Sequence, residues 1–565
     1  MKAWNDFKSF SNKNYRYFLL FSIFANLLLL VLPLYSLQIF NRVLTSRSEE
    51  TLLYLAVLAG ALLLVQVIMD YARQQLLNNA SSVYESEFST QVGEQALQQA
   101  KAQKQLGAET LYNHQQAKFY LQSPFHRHLA DLPWSVAFIL VLFVLHPALG
   151  GYALVCALTI ATLSGLMLIR SHEQQKKHQA LTQTQGIGIR KMLLKGRVIS
   201  ALNIAPQLLQ NWQRHNQHLT MSESETKQQN EQGMSLLKLI RTWVQVGVYA
   251  IGAWLVIEEQ ILAGSLLAAS ILLGRILAPI EQGAQHYTKW RDAKQGYHAI
   301  AAMLARPQQV EQIDLPLQQI ELSLDNVSFF SSVTEKELLS GVTFRLKPGQ
   351  CLEIKGAAGA GKSILLELVA NYLSPTRGQV CINGIDVDKI QSQNLAENIG
   401  YLPQDIELFD ASIADNISGF DRSQQRSERL ILAGKLSGSH EFVARLPQNY
   451  MTLLKSDDVT LSRSELQRIG IARCFYHAPK LLILDQPTTA LDKVASERLL
   501  SLIQQAKTEG STIIFTSDYK PLQAIADYVV ELKHGTVAKA YPNKAQEQVS
   551  NVKSINKPNY QTVKY

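Results

Sequence analysis

The stretch Gly356-Ala357-Ala358-Gly359-Ala360-Gly361-Lys362-Ser363 decides the class of the second half of this chain. It fits G-x-x-x-x-G-K-[ST], a phosphate loop. The apolar run at 351–354 reads as the strand before it, and the apolar stretch 364–372 as the helix it opens. Small residues let successive backbone N–H groups wrap phosphate oxygens at the helix N-terminus. In that arrangement Lys362 reaches the β- and γ-phosphates and Ser363 ligates magnesium. A second apolar run, Leu481-Leu482-Ile483-Leu484, ends in Asp485. A carboxylate at the end of a buried strand beside a phosphate loop is where a further magnesium partner belongs.

Around these motifs, from 319 to 540, short β-branched runs alternate with amphipathic helices, the pattern of an α/β domain. A linker at 306–318, broken by Pro307 and Pro316, precedes it, and a polar tail at 541–565 follows. Of 565 residues 47% are hydrophobic and only 18% charged, against about 25% charged in a soluble domain. This excludes a mainly disordered chain. The four cysteines, Cys156, Cys351, Cys381 and Cys474, are scattered, which excludes a zinc module and a disulfide-stapled miniprotein.

The first half holds the apolar excess. Residues 15–40, 52–69, 132–145, 149–169, 244–257 and 261–280 are largely uncharged, and a bilayer core of about 30 Å needs roughly 20 helical residues. Six transmembrane helices are expected within 15–305, those at 132 and 244 needing their flanks. Lys and Arg gather in the 1–14 leader (Lys2, Lys8, Lys13) and in two long connections. The first carries Arg73, Lys101, Lys104, Lys118 and Arg127; the second carries Arg170, Lys176, Lys177, Arg190, Lys191, Lys195 and Arg197. The positive-inside bias puts both termini, both connections and the α/β domain in the cytoplasm. Much of the net charge of +8 is therefore topology, and no nucleic-acid partner is expected. The first apolar run is too long for a cleavable signal peptide. Arg275, about 21 Å along the last helix, is expected to snorkel to the inner surface.

The second half resembles the nucleotide-binding domain of an ATP-binding-cassette (ABC) exporter. Gln404, in Tyr401-Leu402-Pro403-Gln404, matches the family's Q-loop, which adds a magnesium ligand, and Ala490-Leu491-Asp492 matches its D-loop. The fold implied is a six-helix α-helical transmembrane domain joined to an α/β P-loop nucleotide-binding domain, one half of a dimeric transporter using ATP and Mg2+. Residues 34–44 and Gly274-Arg275-Ile276-Leu277-Ala278-Pro279 resemble the type I protein-secretion branch, in particular its protease-secretion subfamily, which has no N-terminal peptidase-like domain. That resemblance implies an inner-membrane protein. It also implies an exported polypeptide, a membrane-fusion adaptor and a TolC-like outer-membrane channel as partners.

The departures from the family pattern are chemical. Gln486 stands where the catalytic glutamate follows Asp485, and an amide cannot take a proton from water. The switch-histidine position holds Ser517, in Phe515-Thr516-Ser517-Asp518. The signature, ideally Leu-Ser-Gly-Gly-Gln, reads Leu461-Ser462-Arg463-Ser464-Glu465, and the loop before it reads Lys455-Ser456-Asp457-Asp458. The adenine-stacking tyrosine aligns with Ser331, beside Phe330, which could substitute. Nucleotide binding is expected to persist and hydrolysis by this chain's own residues to be lost. The leading expectation is the degenerate half of a heterodimeric exporter. A homodimeric exporter of peptide or lipid and a non-hydrolysing regulatory or scaffolding membrane protein remain open, since fold does not fix cargo.

Overall fold

The computed structural model describes residues 2–102, 104–169, 196–305, 313–331, 335–454 and 461–543. The chain divides into two compact units, Met1–Pro307 and Gln308–Tyr565. The second long basic connection up to Lys195, the Lys455-to-Asp458 loop and all but the start of the tail lie outside the described residues.

The first unit is helical among its described residues. Its helices of eight residues or more are α1 (Lys2–Leu28), α2 (Val31–Gln38), α3 (Glu49–Ala102), α4 (Lys104–Gln122), α5 (Phe125–Leu145), α6 (Pro147–Ile169), α7 (Ala205–Ile257) and α8 (Ala263–Ala305). Six spans in it are long and apolar enough to cross a membrane. The two short apolar runs at 132 and 244 do extend through their flanks, to Leu106–Leu145 and Ser235–Ile257. Helix satisfies every backbone group internally, which a bilayer core demands.

Leu142, Leu149, Leu255, Leu273 and Ile276 form the buried heart of this unit, while Tyr54, Val67 and Val144 keep more than half of their surface exposed. An apolar exterior of that kind suits lipid rather than water. A second cluster joins the leader to the long helices: Trp4 and Phe7 of α1 pack on Tyr84 and Phe88 of α3. The leader is thus the first turns of α1. Between α2 and α3 a π-helical turn, Ile39–Val43, turns Asn41 so that its Oδ1 accepts the Gly264 N–H at 2.9 Å, capping the start of α8. A side chain at Gly264 would meet that same oxygen at 2.5 Å.

Among its described residues the second unit is built on ten strands: β1 (Leu322–Ser331), β2 (Lys336–Leu346), β3 (Cys351–Gly356), β4 (Arg377–Ile382), β5 (Ile385–Asp386), β6 (Ile399–Leu402), β7 (Leu481–Asp485), β8 (Thr512–Thr516), β9 (Tyr528–Lys533) and β10 (Thr536–Pro542). One antiparallel sheet runs β2-β1-β4-β5 and the other runs β10-β9-β3-β8-β7-β6. In the latter β9, β3, β8, β7 and β6 are mutually parallel, and β10 pairs antiparallel with β9. Its central strands are buried on both faces, as Leu481-to-Asp485 and Thr512-to-Thr516 require, which is why they read as unbroken apolar runs rather than alternation. Helix α9 (Lys362–Val369) follows β3, α10 (Arg463–Phe475) precedes β7, and α11 (Lys493–Thr508) follows it. Leu315 and Leu317, from the expected linker, pack against the core of this unit.

Candidate functional site

Parallel strands deliver their C-terminal ends to one edge, and the crevice outside that edge is where an open α/β sheet binds ligands. Here β3 ends at the phosphate loop, β7 at Asp485, β8 at Thr516, and β6 two residues before Gln404. The register places Asp485 opposite Thr516. A cavity of about 540 Å³ opens there, lined by Gly356, Ala358, Gly359, Gly361, Lys362, Ser363, Gln404, Asp485 and Gln486, together with Leu338, Ile364 and Asp518.

The loop's glycines are fixed by space as well as by backbone angle. Gly356 has φ +154°, and a Cβ there would lie 2.6 Å from the Leu532 carbonyl oxygen. Gly361 has φ +97°, and a Cβ would lie 2.8 Å from Leu339 Cδ2. Gly361 caps α9 with no side chain, leaving the helix N–H groups to point at a phosphate. Lys362 Nζ donates to the carbonyls of Gly356 (2.8 Å) and Ala357 (3.0 Å), which holds its charge over the loop. Ala357 and Ala360 complete the turn, Ala360 N–H donating back to Ala357 O at 3.1 Å.

Asp485 is 3% exposed and accepts the Thr516 hydroxyl at 2.5 Å. Burial, and then the Asp485 charge beside it, push the Glu367 carboxyl above the usual range. Ser363, Gln404 and Asp485 offer one hydroxyl, one amide oxygen and one carboxylate, a hard-oxygen set suited to Mg2+, which takes few protein ligands and keeps waters and phosphates for the rest. Among the described residues no group of three or more His, Cys, Asp or Glu gathers as a self-sufficient metal site. The residues present fit a nucleotide with Mg2+: loop, lysine, hydroxyl and carboxylate share one cavity.

Gln486 lies on the cavity wall with φ +45°, its N–H donating to Thr516 O (3.1 Å) and Thr516 Oγ1 (3.0 Å). Its Oε1 accepts Thr489 Oγ1 at 3.4 Å. Gln486 thus combines a left-handed backbone angle with a side chain that carries no ionisable group. Ser517 follows the end of β8. It is 7% exposed, its Oγ accepts the Tyr519 N–H at 3.0 Å, its carbonyl accepts Gln523 Nε2 at 2.8 Å, and it does not line the cavity. The next residue, Asp518, lines it instead. Thr516 closes β8, and Ser517 turns inward to cap the following turn.

Phe330 likewise stays out of the cavity lining. It sits in β1 with its N–H donating to Thr376 Oγ1 at 3.0 Å and 48% of its surface exposed. The signature residues open α10: Leu461 packs against the core of the helical part, and Ser462 is the N-cap. Arg463, Ser464 and Glu465 form its first turn, and Glu465 Oε2 accepts both the Ser462 N–H (2.7 Å) and the Ser462 hydroxyl (2.8 Å). Ser462 Oγ in turn accepts the Glu465 N–H at 3.2 Å, a complete capping box. This the sequence did carry, as Ser-x-x-Glu before an apolar run. Behind it, buried Gln467 donates to the Pro487 carbonyl at 2.9 Å and Arg468 to Asp492 at 3.1 Å, tying α10 to the segment after Gln486 and to the D-loop.

Comparison with known proteins follows the same lines. Residues 339–489 match the family described as ABC transporter. The chain is 27% identical over 518 residues to the type I secretion system ATP-binding protein PrsD of Rhizobium meliloti, covering 91% of this chain and 89% of that protein. It is 27% identical over 536 residues to the cyclolysin secretion/processing ATP-binding protein CyaB of Bordetella pertussis, covering 92% and 74%. It is 26% identical over 529 residues to the leukotoxin translocation ATP-binding protein LktB of Mannheimia haemolytica, again covering 92% and 74%. A solved bacterial Atm1-family ABC exporter with ATP bound superposes with a TM-score of 0.74 over 96% of this chain and 99% of that one, at 20% identity. The chain therefore has the fold of an ABC exporter, carries an ABC transporter domain, and counts type I secretion ATP-binding proteins among its relatives.

Proposed function

We propose that this chain is one subunit of a dimeric, ATP-driven exporter of a polypeptide, and that its own nucleotide site binds Mg-ATP with little or no hydrolysis. The observation that carries the second clause is the wall of the cavity. Lys362, Ser363 and Asp485 are in place, while the residue after Asp485 is an amide hydrogen-bonded to Thr489. Bound Mg2+ would neutralise charge on the β- and γ-phosphates. The chain's residues do the rest: loop N–H groups and Lys362 hold the phosphates, Ser363, Gln404 and Asp485 hold the metal, and Gln486 can orient water without accepting its proton. Loss of general-base catalysis alone costs roughly 10²–10⁴ in rate.

The polypeptide cargo rests on the relatives' printed roles in type I secretion and cyclolysin and leukotoxin export. A second ABC subunit with an intact site, forming a heterodimer, would complete the machine. With it would come a membrane-fusion adaptor and a TolC-like channel in the outer membrane. The subunit would sit in the inner membrane as a multi-pass protein, its nucleotide-binding unit and both termini cytoplasmic. ATP filter binding set against phosphate release tests the enzyme part: retained binding with turnover far below about 1 s⁻¹ is expected, and turnover at or above that value would overturn it. Co-purification with a co-expressed intact ABC subunit tests the pairing.

A further inference from the structure

A second polar cavity, of about 190 Å³, lies wholly within the helical unit, between α1, α3, α5 and α8. Its charged lining is Asp70, Arg73, Arg127, Asp131 and Arg275, three guanidinium groups against two carboxylates. Arg73 is buried and spends its charge on both acids, at 2.8 Å from Asp70 and 2.9 Å from Asp131. Asn26 adds a hydrogen bond to Asp131 at 2.7 Å. One positive charge is left over, and two of the guanidinium groups have no carboxylate partner among the described residues. Arg127 donates only to the neutral Gln74, at 2.6 Å, and Arg275 makes no hydrogen bond or ion pair among the described residues. Arg275 thus lines a chamber inside the helical unit, where the sequence led us to expect a side chain snorkelling alone.

Depth narrows the ligand. Arg127 lies about 27 Å from Leu145, and Pro279, on the same cavity wall, about 24 Å from Ala263, at 1.5 Å per helical residue. With the short turns outside, as proposed above, the cavity lies near the inner boundary of a hydrocarbon core about 30 Å thick. Beside it on α3, next to the lining residues Gln66 and Asp70, Val67, Ile68 and Tyr71 are 67%, 52% and 66% exposed, an apolar strip along which acyl chains can lie. Excess cationic charge between helices at the cytoplasmic boundary suits a phosphate headgroup.

We propose that this cavity binds the phosphate of an anionic phospholipid headgroup from the inner leaflet, held by Arg127 and Arg275. The proposal rests on the membrane orientation given above and is independent of cargo and of hydrolysis. The test uses the full chain in neutral detergent, incubated with mixed micelles of phosphatidylglycerol and phosphatidylcholine, with retained lipids counted by native mass spectrometry. Phosphatidylglycerol should be retained in preference. Arg127→Gln with Arg275→Gln should lower its retention about thirtyfold, the effect of two cationic side chains near a membrane surface. Gln66→Glu, which adds a carboxylate to the lining without removing a guanidinium, should lower it as well. ATP binding, which uses residues of the other unit, should be unchanged in both variants and reports that they are folded. Equal retention by the wild type and the double variant overturns the proposal. So does stabilisation of the wild type by inorganic phosphate but not by phosphatidylglycerol, which assigns the cavity to free phosphate. Preferential binding of a glutamate-rich peptide also overturns it, making the cavity a cargo site.

Discussion

Glu465 Oε2 receives both the amide and the hydroxyl of Ser462, at 2.7 and 2.8 Å, so the serine of the signature is satisfied by its own helix. In the family arrangement that serine and the N-terminus of its helix face a nucleotide held by the other subunit. Here a carboxylate already lies against the N-cap of that helix, where the dipole favours negative charge as it would favour a phosphate. The cap contributes about 1 kcal/mol to the helix. Glu465→Gln keeps a hydrogen-bonding side chain at that position and removes the charge. In a complex with an intact partner it should raise ATP-dependent association of the two subunits several-fold, read by cross-linking or light scattering. An unchanged or weaker association would show that the carboxylate does not oppose closure.

Restoring Glu at 486 alone should leave a homodimer a poor enzyme. Each of its sites would still be covered by Ser462 engaged with Glu465, and Asp518 would still face the phosphates. Groups that act as a unit are non-additive, so repairing one defect recovers little. Phosphate release from Gln486→Glu is expected to rise less than about tenfold, far short of the roughly 10²–10⁴ a general base supplies.

Asp518 lines the cavity beside the phosphate loop. A carboxylate on the wall of a triphosphate cavity repels its ligand, by about 1 kcal/mol at 4 Å in water. Asp518→Asn should therefore tighten ATP binding about fivefold, whereas Ser517→Ala, which removes only a turn-capping hydroxyl, should not. Equilibrium binding of ATP to the two variants separates the positions, and equal effects would show that the Asp518 charge does not oppose the ligand.

How much of this was legible beforehand depends on whether the signal is local. The phosphate loop, the strand ending in Asp485 and the six apolar spans are contiguous patterns, and each lies where the sequence placed it. Ser517 and Asp518 differ by one residue across a strand end, and only the exact end of β8, at Thr516, decides which side chain turns inward. Arg73 and Arg127 count as basic loop residues in the sequence, yet both line a chamber between helices far apart in the chain. Asp131, the partner of Arg73, is 58 residues away in the chain, beyond any periodicity argument.

Glu353, in the strand that leads into the phosphate loop, is fully buried, and among the described residues neither carboxylate oxygen has a hydrogen-bond partner. Burial raises its pKa, and Lys355 Nζ, 3.3 Å away, draws it only part of the way back. An acid whose folded pKa lies above its unfolded value makes the protein most stable below the unfolded value. Stability then falls as pH rises towards the folded value. Glu353→Gln removes that slope. Thermal unfolding of the two proteins between about pH 4.5 and 7 should show the wild type losing stability relative to the variant as pH rises. Parallel curves would show that Glu353 stays charged in the folded state.

In a heterodimer with an intact partner each composite site would receive one altered half, and magnitudes decide which one turns over. The site built on this chain's Lys362, Asp485 and Gln486 would, as proposed above, lack a base, at a cost of about 3–5 kcal/mol at 1.36 kcal/mol per decade. The site built on the partner's loop and glutamate keeps its base and is covered by Ser462 and Glu465. The penalty there is one exposed carboxylate, about 1 kcal/mol at 4 Å in water. Hydrolysis should therefore concentrate on the partner's loop. Lys362→Ala in this chain should leave most of the pair's phosphate release, and the equivalent lysine change in the partner should abolish it. Adding Glu465→Gln to Lys362→Ala should raise the remaining rate about fivefold, since the carboxylate it neutralises faces the working site. Equal losses from the two lysine substitutions, in complexes shown to remain assembled, would refute this division of labour.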